Sequence, residues 1–146
     1  MNRSIKIFLI TSFFLLTLPG WSHAQDINVG VDIILASQKA AYIDSRLTGI
    51  KGQLQGVFNF SSYELYDRKA LVIAMGREKQ IALLEDKVFL LMPVYFQGNM
   101  VVMKAKILSG RRLVVDTQFR VSQGGSFFVG GPKTGRGIII LKVTAH

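Results

Sequence analysis

The side chains with the most chemistry to offer are cations gathered toward the C-terminal end of the chain. From residue 104 onward, Lys104, Lys106, Arg111, Arg112, Arg120, Lys133, Arg136 and Lys142 face a single acid, Asp116. Residues 25–103, by contrast, carry eight Lys or Arg against eight Asp or Glu, which cancel. A field of one sign attracts an anionic partner, and Lys104, Lys106, Arg112, Arg120, Lys133 and Arg136 are the candidate anion-binding residues. The same residues have a plainer use, because Lys and Arg on sheet edges keep strands from pairing with other chains. The sequence leaves both uses open.

Catalytic chemistry is poorly supplied. The chain has no Cys, and its two His are His23 and the C-terminal His146. With His23 in a segment read below as a leader, Ser-His and Cys-His nucleophilic pairs and zinc sites of the usual ligands have no residues to build them. Paired carboxylates of the kind glycosidases use have two candidate locations, Glu64 with Asp67 and Glu85 with Asp86. Neighbouring acids at strand ends and turns are ordinarily solvated surface, and no run of Asp and Asn has the spacing of a calcium loop. The expectation is a protein that is not an enzyme and carries neither metal nor cofactor.

A glycine-rich stretch, Gly124 to Gly137, invites comparison with phosphate-binding loops. A P-loop places Gly directly before Lys and opens a helix whose N-terminal amides hold the phosphate. Here Pro132 precedes Lys133, and the apolar run Ile138 to Val143 reads as a strand. The glycines are expected to serve turns around a short strand Ser126–Val129 and an exposed loop from Gly130 to Gly137. Gly130, Gly131, Pro132 and Thr134 are the candidate docking residues of that loop, with Lys133 and Arg136 at its tip. Phe127 and Phe128 should divide between core and surface.

The elements that must position these residues are mostly strands. Ile27 to Ala36 alternates, with Val29, Val31, Ile33 and Leu35 on one face. A helix follows, capped by Asp44 or Ser45, with Leu47, Ile50, Leu54, Val57 and Phe58 as its apolar stripe and Gly49, Gly52 and Gly56 opposite. That glycine face is either exposed or a place where a partner backbone can come close. Phe60–Tyr66, Leu71–Met75, Gln80–Leu84, Val88–Phe96, Met100–Leu108, Arg112–Val121, Ser126–Val129 and Gly137–Ala145 then read as strands. Val88 to Phe96, apolar on both faces, reads as covered on both sides, with a bulge or an edge at Pro93. A three-residue turn, Ser109 to Arg111, would pair Ile107 with Leu113 and Ala105 with Val115 on the buried face and set Lys104 beside Asp116 outside.

These elements sum to an α+β, mostly β, single domain. It should have eight or nine short, mainly antiparallel strands in a sandwich or bent sheet, with one N-terminal amphipathic helix. Residues 25–146 suit one core that needs no staples. Residues 1–24 read as a cleavable signal peptide: Arg3 and Lys6, an apolar run Ile7 to Leu18, the break Pro19-Gly20, then Ser22-His23-Ala24. The run is too short to cross a bilayer, which takes about 20 residues, and no later segment is long and apolar enough to span as a helix. The expected location is the periplasm or cell envelope of a bacterium. Protein recovered from the envelope should begin at Gln25 or within a few residues of it; an intact mass that retains the first 24 residues would contradict the cleavage.

The segment Val121-Ser122-Gln123-Gly124-Gly125-Ser126-Phe127-Phe128-Val129-Gly130-Gly131, followed by the apolar run Gly137 to Thr144, resembles the end of the secretin domain of outer-membrane secretion channels. The whole of residues 25–146, with Leu54 to Tyr63 reading as an amphipathic helix end running into Phe-Asn-Phe-Ser-Ser-Tyr and with Val129-Gly130-Gly131-Pro132, is similar to small exported bacterial proteins of unknown function. The first resemblance implies association with a secretion or pilus-type assembly; without long transmembrane hairpins it does not carry pore formation. Two functional classes follow. One is an interaction module that docks onto an envelope protein assembly through a sheet edge, the glycine face of the helix or the Gly130–Gly137 loop. The other is a binding protein for an anionic polymer or lipid headgroup, such as an acidic glycan or lipid surface. Nucleic acid is the weaker form of the second, because no strand interleaves aromatics with the cations.

Overall fold

The computed structural model describes residue 20 and residues 24–146, so the leader expectation lies almost wholly outside the described residues. Nine strands run in order: β1 Asp26–Ser37, β2 Tyr42–Ile43, β3 Ser62–Ala74, β4 Lys79–Ala82, β5 Lys87–Gln97, β6 Met100–Ser109, β7 Arg112–Ser122, β8 Ser126–Thr134 and β9 Gly137–Ala145. They form a five-stranded sheet, β2-β3-β1-β9-β8, and a four-stranded sheet, β4-β5-β6-β7. All the strand pairs are antiparallel except the short β2–β3 pair. No helix among the described residues is long and apolar enough to cross a membrane.

Strand alternation builds the core between the sheets. Val29, Val31, Ile33 and Leu35 of β1 pack with Phe89, Leu91, Met103, Ile107, Ile139 and Leu141, all buried. Burying an aliphatic side chain of this size contributes about 1.5–3 kcal/mol. The opposite face of β1 is also buried at its C-terminal half, where Ile34 and Ala36 join Leu47, Leu54, Tyr63, Leu65 and Ile140 in a second core. This is why β1 reads as alternating at first and continuously apolar later: it is covered by the second sheet on one side and by the helical segment on the other.

That segment is two pieces rather than one helix. A 3-10 turn spans Ser45–Ile50, and a seven-residue α-helix, α1, spans Lys51–Val57. Leu47 and Leu54 are buried, but Val57, placed in the apolar stripe by its spacing, is 64% exposed. Gly49, Gly52 and Gly56 look into open space. Three glycines each cost up to about 1 kcal/mol of helix propensity, so only the turns that gain from packing are held. Asp44 is the N-cap, accepting a hydrogen bond from the Arg46 amide at 3.0 Å. Tyr63 fastens the far end: its hydroxyl donates to the Phe58 carbonyl at 2.8 Å and accepts from the Phe60 amide at 3.3 Å.

Three sequence expectations are corrected by the fold. The two strands expected at Phe60–Tyr66 and Leu71–Met75 are one continuous β3, because the charged stretch between them is held to β1: Arg68 clasps Asp32 through Nε at 2.7 Å and Nη2 at 3.0 Å. In β5 one face is buried, while Val88, Leu90, Met92 and Val94 on the other are only half-buried. The pairing does bulge between Pro93 and Tyr95, as the proline requires. Gly130 to Thr134 is strand, not loop, with a bulge between Gly130 and Lys133.

The β6–β7 hairpin also turns differently. Ser109 pairs with Arg112 across a two-residue turn, Gly110-Arg111, in which Gly110 takes φ +60°. One residue later a bulge shifts the register, so Leu108 faces Leu113 while Ile107 faces Val115. Asp116 therefore stands opposite Lys106, not Lys104, and Leu113 is 48% exposed rather than buried. The bulge restores the parity of the strand beyond it. Lys104, Lys106 and Asp116 do share one face, as expected, with their partners shifted by one rung.

Candidate anion-binding face

The outer face of the four-stranded sheet brings three of the candidate cations together, and the strand register specifies its layout rung by rung. Residues directly opposite in antiparallel strands project to the same face with Cβ atoms about 4.5–5.5 Å apart. From one end, the rungs across β5, β6 and β7 are Tyr95, Val102 and Arg120; Met92, Lys104 and Gln118; Leu90, Lys106 and Asp116; and Val88, Leu108 and Leu113. The β5 side is thus an apolar stripe, and β6 and β7 carry the cations beside it. Tyr95 is 48% exposed, while Lys104 and Arg120 are exposed and Lys106 half-buried. Asp116 is the one acid in these rungs, and neither it nor the three cations makes an ion pair among the described residues.

The other candidates are elsewhere. Arg112 is exposed at the β6–β7 turn. Lys133 is exposed on β8, in the other sheet. Arg136, in the β8–β9 turn, is already engaged: its Nη2 lies 3.2 Å from Glu64, and its guanidinium sits 5.6 Å from the centre of the Tyr66 ring. An Arg held by a carboxylate and an aromatic face has little left for an outside anion.

The proposed docking residues are knitted into the domain. A Cβ on Gly130 would touch the Phe58 ring at 3.5 Å, and one on Gly131 would come within 3.0 Å of the Ile139 carbonyl oxygen and 3.3 Å of Ile107. Pro132 is half-buried at the β8 bulge. The Thr134 hydroxyl donates to the Gly137 carbonyl at 2.9 Å and accepts from the Arg136 amide at 3.1 Å. Gly131 serves close strand packing, a use of glycine that a single sequence cannot separate from loop freedom, while the contact at Gly130 is of ordinary length. Phe127 and Phe128 do divide: Phe127, 36% exposed, stacks on Phe119 at 4.4 Å, and Phe128 packs edge-on against Phe58 at 6.3 Å.

Three of the four carboxylates singled out for acid–base work pair with cations, and Asp86 makes no ion pair among the described residues. Glu64 pairs with Arg136, Asp67 with Lys69 at 2.9 Å, and Glu85 with the buried Lys87 at 3.3 Å. The Gly135 amide, donating to Glu85 at 2.6 Å, is the main cause holding that carboxyl below its usual range, with Lys87 adding to it. Lys69 does the same for Asp67. Asp67 and Glu85 are thus kept ionised by local partners, the opposite of the raised value a general acid needs. No group of three His, Cys, Asp or Glu among the described residues is placed to hold a metal ion.

The period-two alternation of Val88, Leu90 and Met92 and of Lys104 and Lys106 was a visible signal for this face. What was missed is that the two rows are neighbours, so that the apolar side of β5 is half of a mixed surface and not a second core. No protein-family model, no curated protein and no solved structure matches the chain.

Proposed function

We propose that the chain is an exported, non-enzymatic interaction module of the bacterial envelope. It engages a partner with an acidic surface through the outer face of the four-stranded sheet. The observation that carries this reading is the juxtaposition of Lys104, Lys106 and Arg120 with the stripe Tyr95, Met92, Leu90 and Val88. Protein interfaces combine an apolar centre with a polar, charged rim, and a purely solubilising arrangement of charges gives no reason to gather apolar residues beside them. An envelope protein assembly with acidic residues flanking an apolar strip is the partner this face fits. A secretion or pilus-type assembly, implied by the C-terminal resemblance, falls within that class, and the leader supports the location. A fully hydrophilic anionic glycan would engage the cations and leave the stripe unused.

The electrostatic half of the reading is testable without the partner. Protein expressed from the full sequence is retained on a heparin matrix, and its elution salt is compared with that of two variants. Replacing Lys104, Lys106 and Arg120 together by Ser should lower the salt midpoint clearly. It should also reduce the log–log salt slope by about three, one for each lost contact. Replacing Lys133 and Arg136 by Ser should change it less, because Arg136 is spent on Glu64. Equal loss in both variants, or none in the first, would remove this face as the anion-binding surface.

A further inference from the structure

At the end of the sandwich where the chain enters β1 and leaves β9 the surface is chemically unlike the basic face. A cavity of about 410 Å³ opens there, within the range of roughly 300–1,000 Å³ usual for small-molecule sites. Its floor is the end of the main core, with Ile27, Val101, Val121 and Ala145 all buried. Its rim carries Gln25, Asp26, Asn99, Gln123 and His146, and Phe96, 44% exposed, forms one wall. Among the described residues no Lys or Arg lines this cavity.

The geometry points to a neutral saccharide as the occupant: we propose that this cavity binds one or two sugar rings. Three observations carry the assignment. First, a side-chain amide offers both donors and acceptors, which is what a hydroxyl, itself donor and acceptor, requires. The side-chain amides of Gln25, Asn99 and Gln123 make no hydrogen bond among the described residues. Second, the main chain around them is tied down, so the side chains start from fixed backbone positions. The Gln25 carbonyl accepts from Met75 at 2.9 Å, the Gly124 amide donates to Ala145 at 2.7 Å, and the His146 amide donates to Asn28 at 2.9 Å. Gly98, at φ +62°, makes the turn that carries Asn99. Third, among the described residues Asp26 is the only carboxylate side chain of the rim and no Lys or Arg pairs with it, so an anionic ligand is disfavoured here while the basic C-terminal half attracts one. A sugar ring matches the remaining combination: its C–H face lies on Phe96 and its hydroxyls meet the amides.

The test uses protein expressed from the full sequence and labelled with 15N, titrated with maltose and with N,N′-diacetylchitobiose as neutral probes and with glucuronate as the anionic comparison. At least one neutral disaccharide should shift the amides of Gly98, Asn99, Gln123 and Gly124 in a saturable way, and glucuronate should bind at least tenfold more weakly. Phe96→Ala should weaken binding at least tenfold, and Asn99→Ala with Gln123→Ala by a similar factor. Phe96→Tyr, which keeps the ring, should stay within threefold; its retention distinguishes loss of the aromatic wall from loss of fold. The Lys104, Lys106 and Arg120 Ser variant should bind sugar within twofold of the parent, so the two sites fail or stand separately. No saturable shift with either neutral probe, shifts confined to other parts of the domain, or glucuronate binding as tight as the neutral sugars would overturn the assignment.

Discussion

Alanine in place of Gly137 should destabilise the domain by about 3 kcal/mol or more, read as a drop in urea midpoint at unchanged slope. Gly137 opens β9 at φ +135°, a region that residues with a side chain avoid. A Cβ there would lie 2.5 Å from the Ala36 carbonyl oxygen and 3.2 Å from its carbon. The obstacle is backbone of β1 at a fully buried position, and it has nowhere to go without parting β1 from β9, since Ala36 pairs with Ile138. The Gly137 carbonyl is also the acceptor of the Thr134 hydroxyl, so the tip of the β8–β9 hairpin would move with it. Gly110 is the proper comparison: its φ is +60° and nothing lies within 4 Å of an added Cβ. Gly110→Ala should therefore cost only about 1 kcal/mol. Equal, small losses at both positions would show that β1 and β9 are not held at this distance.

The second large effect is expected at Asp44, whose carboxylate is buried although the sequence marks it only as a helix cap. Its Oδ1 accepts from the Arg46 amide and from Arg46 Nε, both at 3.0 Å; its Oδ2 accepts from Arg46 Nη2 at 2.7 Å and from the buried Leu65 amide at 3.2 Å. One side chain thus caps the 3-10 turn and fastens it to β3. Asp44→Ala strands two backbone N–H groups, one of them buried, and should cost about 3 kcal/mol. The Arg46 side chain is the largest cause holding the Asp44 carboxyl well below its ordinary value; the amides of Arg46 and Leu65 add to it, and burial opposes them. A carboxyl depressed on folding contributes stability above its unfolded pKa, near 3.8, and loses it as pH falls toward the folded value. The parent should accordingly lose stability below about pH 4, and Asp44→Asn, which keeps an oxygen acceptor but no charge, should lose less over the same interval. Asp67 and Glu85 are depressed in the same direction, but both carboxylates are themselves exposed to solvent and add little. Parallel acid limbs for parent and Asn variant would show that Asp44 does not carry the effect.

Much of the fold could be read from the chain, because alternation and turn residues are local. The first strand, the bulge at Pro93, the cap at Asp44 and the outward projection of Lys104 and Lys106 each follow from residues within one element. What the chain left undecided depends on contacts between elements far apart in sequence. The polar stretch around Arg68 breaks any strand pattern, and only Asp32 on the neighbouring β1 explains why β3 runs through it. Leu113 is apolar and in phase for burial, but a single bulge turns it to the surface without disturbing Asp116 beyond it. Arg136 counts as a free cation until Glu64, 72 residues away in the chain, is placed beside it. The same holds for Gly131, whose meaning is the proximity of Ile139 and Ile107. Composition and period determined that this is a β domain with a basic C-terminal half. The register between strands decided which three of its cations share a face with an apolar stripe, because a side chain's neighbours across a sheet are set by pairing, and pairing is chosen by the whole core.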